Sequence, residues 1–359
     1  MHKTFDYCVI GSGLAGLHTA YELIRHGVSV CVIDTNGVAT GASGAPVGLA
    51  NPATGRFATK TWKGEESLKQ LSFNLQQAEG FSTSKFYRQT GVLRPALDVK
   101  IALKMQKNIE TDSWKNERVA WLNEKEVKDF HPGIHCEIGG IWVSNGITVH
   151  IAEYLNALKK MIEEKHGIFY LYEDYTIKQA GNWNIQFRFR DVILSKHIIH
   201  TAGIWTKSSP FWNSLKMHPI KGQTLILETE NHPLFDHAVS ALGYISRIKD
   251  NTYILGSTYE HTFDHEHPDK AGEKYMLDNL SRVLPRLAKK VQIKDSWASV
   301  RASTPNRKPY LGAHPTISNC YVFAGLGSKG LLYSSLGARY LANHLIKDES
   351  LPIELKVQR

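Results

Sequence analysis

The chain has 359 residues, 42% hydrophobic and 21% charged, an ordinary globular balance that excludes disorder and fibrous repeats. Its length is too great for one small module and suits two domains sharing one connected body. Lys and Arg number 43 against 34 acids, a formal charge of +9, which favours acidic or polyanionic partners and carries no message about fold.

Residues 7–10 form a continuous apolar run, as expected of a strand buried on both faces. Gly11-Ser12-Gly13-Leu14-Ala15-Gly16 follows directly, and Leu14, Leu17, Tyr21 and Ile24 then recur at helical spacing until Gly27. Residues 28–33 predict a second strand, closed by Asp34. The spacing predicts a helix over 60–80, a strand and turn over 91–95, and a helix over 114–127 that His131-Pro132-Gly133 breaks. An amphipathic helix over 151–165 leads to a strand over 168–172, and a buried strand at 197–200 runs into Ala202-Gly203-Ile204-Trp205. Residues 217–260 change to successive strands with turns between them, the pattern of an antiparallel sheet. Residues 271–290 are helical around Pro285, and the end repeats the opening theme with a strand at 321–324, a glycine turn and a helix over 331–346.

No apolar run approaches the roughly 18 residues of a membrane-spanning helix, and the start has no signal-peptide core, so a cytoplasmic location is expected. Cys8, Cys31, Cys136 and Cys320 lack CxxC spacing, which argues against a metal site or a disulfide framework. The lysines are spread over helical stretches; they read either as solvated faces or as a surface for nucleic acid.

A glycine fingerprint alone is weak evidence. Here a strand precedes it, a helix follows it, and Asp34 lies 21 positions beyond Gly13. Gly11 permits the tight turn, Gly13 admits a pyrophosphate to the backbone, and Gly16 lets helix and strand pack closely. The helix start offers free N–H groups and a positive dipole end, and Asp34 can accept hydrogen bonds from a ribose. A second small-residue loop, Gly41-Ala42-Ser43-Gly44, leads to Pro46-Val47-Gly48-Leu49-Ala50-Asn51-Pro52. A simple NAD enzyme has no use for it, whereas FAD needs further hydroxyl and amide donors there. Gly325-Leu326-Gly327-Ser328-Lys329-Gly330-Leu331 opens the last helix and can aim N–H groups at an anionic flavin edge.

These motifs come in one order with Pro219-Ile220-Lys221-Gly222-Gln223, Gly256-Ser257-Thr258-Tyr259-Glu260 and Val300-Arg301, and in that order the chain resembles the D-amino-acid oxidase/glycine oxidase superfamily of FAD-dependent oxidoreductases over essentially its whole length. Residues 41–52 and 325–331 look most like the FAD-dependent oxidoreductase domain of the bifunctional tRNA 5-methylaminomethyl-2-thiouridine biosynthesis proteins. That family usually carries a methyltransferase domain in front, and this chain begins at the fingerprint; residues 256–260 and 308–312 look equally like glycine oxidase.

The resemblance implies an α/β fold: a discontinuous Rossmann-like FAD-binding domain (1–84, 147–214 and 296–359) with an inserted, mainly antiparallel substrate domain (85–146 and 215–295). It implies non-covalent FAD, held at Gly11, Gly13, Leu14, Ala15 and Gly16, at Asp34 and Thr35, and at Ala42, Ser43, Val47, Gly48 and Leu49. Ala202, Gly203 and Trp205, with Gly327, Ser328, Lys329, Gly330 and Leu331, would complete the cofactor site. The implied chemistry is hydride transfer from a C–N carbon to flavin N5, followed by hydrolysis of the imine, with no metal. Arg301 falls where relatives grip a substrate carboxylate, and Tyr244 where they place a pocket tyrosine. Two substrates fit: carboxymethylaminomethyl-uridine of a tRNA, giving aminomethyl-uridine, or a free amino acid or amine, giving imine and peroxide. A third reading is a flavin-binding protein without turnover, against which Arg301 speaks.

Overall fold

The computed structural model describes residues 2–111, 114, 118–230 and 235–357. The first apolar run becomes the strand Lys3–Ile10, with Val30–Asp34 and Ile193–His200 pairing in parallel on either side. Ile168–Leu171 extends this sheet beyond Val30–Asp34, and Cys320–Ala324 extends it beyond His200, both in parallel. Tyr175–Ala180 and Asn182–Phe187 add an antiparallel hairpin. The fully buried Cys8, Val9, Cys31 and Val32 explain why these segments read as unbroken apolar runs: helices or loops cover both faces.

The helix Leu14–Ile24 packs between Gly330–Lys347 and Ile151–Glu164, so the beginning, middle and end of the chain share one core. His18 lies at its centre. Its Nδ1–H donates to Leu14 O at 2.7 Å, and its Nε2 accepts from Tyr154 Oη at 2.7 Å and Ser335 Oγ at 2.9 Å.

Burial holds His18, His131 and His237 neutral by lowering them from the ordinary 6.5 to about 4, and lowers His200 to about 3. The unfolded chain therefore takes up these protons first. Their contribution to stability is complete above the unfolded value and drains away as pH falls towards the folded values. The melting temperature is expected to be level above about pH 7 and to drop steadily from about pH 6.5 to 4. A level melting temperature across that window would contradict neutral burial.

A second sheet of eight strands runs in the order Val291–Ser303, His218–Thr229, Thr252–Gly256, Tyr244–Lys249, Ala238–Ser240, Val92–Pro95, Gly139–Val143 and Val119–Asn123. Its pairs are antiparallel except where Ala238–Ser240 meets Val92–Pro95. Val291–Ser303 crosses the 295/296 boundary expected from the sequence and pairs with His218–Thr229 along its length, so residues 296–303 sit with this sheet. On the covered side, Lys221 is 1% exposed and pairs with Asp269 at 2.6 Å and Glu260 at 3.4 Å. Asp269 also caps the helix Lys270–Val283 by accepting from Gly272 N at 2.7 Å.

One expectation is corrected. Within the expected helix 114–127, Val119–Asn123 is instead an edge strand of the second sheet, and the helix here is Glu124–Phe130. Residues 112–113 and 115–117 lie outside the described residues. Asn123 and Glu126 form a reciprocal capping box, which starts the helix ten residues after Trp114. Pairing with Gly139–Val143 draws the preceding residues into the sheet.

Candidate functional site

The glycine turn is packed as its spacing demands. Gly11 has φ 106°, and a Cβ there would meet Thr201 O at 2.9 Å, because the 201–203 turn passes directly over it. A Cβ on Gly16 would lie 1.8 Å from Gly11 O, so helix and turn touch backbone to backbone. Asp34 closes its strand with a fixed carboxylate: Ser12 N and Ser12 Oγ donate to Oδ2 at 2.8 and 3.0 Å, and Asn36 N donates to Oδ1 at 2.9 Å.

The second small-residue loop folds onto the helix start. Ser43 Oγ accepts from Leu14 N at 3.0 Å, and a Cβ on Gly13 would meet that oxygen at 2.8 Å. Backbone amides of the helix start, a hydroxyl and a dipole end thus converge where a pyrophosphate would lie. The C-terminal loop closes on the same place, since a Cβ on Gly330 would touch Leu14 Cδ1 at 3.0 Å and one on Gly48 would touch Leu331 Cδ1 at 2.7 Å. Gly325 and Gly327 have φ of 82° and 56°, and Gly327 N donates to Ala302 O at 2.7 Å, tying this loop to the strand that carries Arg301.

Most of these residues border one cavity of about 2200 Å³, beyond the roughly 300–1,000 Å³ of a single drug-sized ligand site. Of the residues expected from the sequence, Gly11, Gly13, Leu14, Ala15, Asp34, Thr35, Ala42, Ser43, Val47, Gly48 and Leu49 line it. So do Ala202, Gly203, Trp205, Gly327, Ser328, Lys329, Gly330, Leu331, Tyr244 and Arg301. Gly16 alone stands back, buried against Gly11. An elongated site with donors at a helix start, a ribose-facing acid and glycines at each close approach fits FAD in its donor set and size.

The floor is one face of the second sheet. Register places Arg301, Ser299 and Trp297 on the face shared by Gly222 and Thr224, then Gly256, then Tyr244, then Ser240. A Cβ on Gly222 would lie 2.0 Å from Arg301 Nη2, so only glycine lets the guanidinium lie across the neighbouring strand. Arg301 Nη2 donates to Ser257 Oγ at 2.9 Å, while its buried Nη1 has no hydrogen-bond partner among the described residues. Burial lowers the Arg301 pKa, opposed by Tyr244 and Tyr259, yet an arginine remains a cation at neutral pH. A half-satisfied fork beside a cavity is suited to a carboxylate. Tyr244 Oη donates to Val47 O at 2.9 Å, joining the floor to the cofactor side, and burial pushes its phenol up to about 12.

Lys329 is half-buried, and burial first, then Arg307 and Lys308, lower its pKa. Cys320 is fully buried outside the cavity lining, and burial pushes its thiol up to about 12, so it offers no thiolate for a covalent link. Sequence reasoning assigned no role to Ser257, Trp297, Ser299 or Arg94. Ser257 belongs to the Gly256–Glu260 motif, and Arg94 stands out as a charge inside the four-residue apolar strand Val92–Pro95.

A family model described as FAD dependent oxidoreductase matches residues 6–344. The bifunctional tRNA 5-methylaminomethyl-2-thiouridine biosynthesis protein MnmC of Leptospira interrogans is 26% identical over 392 residues, covering 97% of this chain and 58% of that protein. The chain thus spans little more than half the length of the curated relatives it matches. Glycine oxidase from Geobacillus kaustophilus superposes with a TM-score of 0.89 at 19% identity, over 100% of this chain and 99% of that one. Iminodiacetate oxidase from Chelativorans sp. BNC1 superposes with a TM-score of 0.82 at 21% identity, over 98% of both chains. At these identities the structural likenesses speak for the fold.

Proposed function

The chain belongs to the DAO family of FAD dependent oxidoreductases, and from that premise we propose that it oxidises the C–N bond of an amine bearing a neighbouring carboxylate, the substrate being carboxymethylaminomethyl-uridine at the wobble position of a tRNA. When bound, FAD supplies the two-electron acceptor. Arg301 grips the substrate carboxylate through its free Nη1 and Ser257-supported Nη2, and that grip fixes which carbon faces the cofactor. Tyr244 walls the floor beside it. The oxidised carbon–nitrogen bond takes up water and releases glyoxylate, leaving aminomethyl-uridine.

The observation that carries the choice of an RNA is the cavity rim. Trp205, Tyr259 and Tyr275 are exposed among the residues lining the cavity, as are Arg282 and Arg307. Exposed aromatic faces stack on bases for about 1–3 kcal/mol each, and arginines neutralise phosphates. The relatives named for tRNA modification and the charge of +9 support the same reading. A second reading, oxidation of a free amino acid, is favoured by the same Arg301 geometry, which any amine with a neighbouring carboxylate would satisfy.

Anaerobic bleaching of the flavin separates them. Glycine, sarcosine, a D-amino-acid panel and tRNA bearing the modified uridine are offered in parallel. Bleaching by tRNA, with an affinity that falls steeply as salt rises, is the expected result. Bleaching by a free amino acid with tRNA inert would overturn the RNA reading and keep the amine oxidation.

A further inference from the structure

At the far end of the cavity floor lies a second arginine. Arg94 is 5% exposed and lines the cavity with Gly55, Leu97, Ile101 and Met105. Its Nη1 donates to Ser240 Oγ at 2.9 Å and its Nη2 to Gly55 O, both neutral acceptors, while the buried Nε has no partner. Among the described residues no carboxylate pairs with it. Asp98, the acid of this lobe, is taken by Arg56 at 3.4 Å and by Ile101 N at 2.7 Å.

Burial alone lowers the Arg94 pKa to about 10, with no charge partner to oppose it. Two neutral acceptors do not require a full charge, and an unpaired buried cation is costly to keep. An anion arriving in the cavity would compensate it.

The sheet fixes how far this cation stands from Arg301. Their strands are five steps apart, but Arg301 leans over Gly222 to Ser257 and Arg94 reaches Ser240, so the two guanidinium heads stand about two to three strand spacings apart, roughly 10–14 Å at ~4.8 Å each, and a free glycine cannot touch both. We propose that Arg94 forms a second oxyanion subsite, taking a phosphate or carboxylate that an elongated substrate carries at the end remote from the carboxylate on Arg301. The inference rests on the reading of Arg301 as the carboxylate anchor, and it gives the cavity a ruler for substrate length.

The test measures the ligand concentration that half-saturates anaerobic bleaching of the FAD-loaded protein, using two matched sets. One compares carboxymethylaminomethyl-uridine with its monophosphate; the other compares N-alkylglycines whose chains end in methyl, carboxylate or phosphate. The wild type is expected to prefer an oxyanion-ended ligand over its neutral partner by about tenfold. Arg94→Gln keeps an amide donor for Gly55 and Ser240; it should abolish that preference and leave the neutral ligands unchanged. Arg94→Lys, which keeps the charge, should retain part of it. Which ending is preferred identifies the oxyanion. A preference confined to the alkylglycines, with both uridines inert, would defeat the RNA reading and leave the subsite standing. No preference in the wild type, no bleaching with any oxyanion-ended ligand, equal weakening of both partners in Arg94→Gln, or a Lys variant without preference would overturn the proposal.

Discussion

Arg301→Met is expected to bind FAD normally and to lose kcat/KM for its carboxylate-bearing amine by roughly 30- to 5,000-fold, the 2–5 kcal/mol typical of removing one partner of a buried hydrogen-bonded charge pair. The reason lies in the packing: the guanidinium lies over Gly222, is steadied by Ser257, and keeps a buried Nη1 unpaired beside the cavity. Because the residue sits on the floor, away from the Gly11–Ser43 cradle, flavin content should not change. Rapid-reaction bleaching would separate the two parts of the effect. A lost grip raises the half-saturating concentration, and a misaimed carbon lowers the limiting rate. Arg301→Lys should recover part of the loss, since it restores charge without the bidentate fork. A Met variant with unchanged kcat/KM would remove Arg301 from the site.

Gly16→Ala is expected to cost at least about 3 kcal/mol, beyond the usual range for an overpacked site, and to purify with little or no flavin. The added methyl would stand 1.8 Å from Gly11 O and 2.7 Å from Thr201 Oγ1, and the nearer atom is backbone that cannot turn aside. Relief requires the helix Leu14–Ile24 to move away from the turn, which carries its N–H groups off the pyrophosphate position. Gly80→Ala is the matched control, because a Cβ there meets nothing within 4 Å and the residue lies outside the cavity lining. Flavin absorbance per protein and the melting temperature read both variants. A flavin-replete Gly16→Ala protein would show that close helix–turn contact is not what shapes the cradle.

Much of this site was legible before any fold was seen. The fingerprint at residues 11–16, Asp34, the loop at 41–49 and the loop at 325–331 are local patterns, and the structure gathers them around one cavity. Each is a strand-to-helix or turn signal written in neighbouring residues, and the close approach required of Gly11, Gly13 and Gly16 can be read from their spacing. The segment at 114–127 was misread for the converse reason. Its strand exists because Gly139–Val143 pairs with it, and no helical or strand period inside the segment announces a partner about 20 residues away.

What the sequence by itself determined is the cofactor half of the protein: a buried strand, a glycine turn with an acid after the next strand, and a matching glycine turn at the end. Burial period and turn chemistry are properties of adjacent residues. What only the tertiary structure decided is the substrate half. Arg94 meets Ser240 across 146 positions, and Arg301 lies over Gly222 in the next strand. Which charges share a cavity depends on strand order and register, and those are set when distant segments pair and choose the face each side chain will occupy.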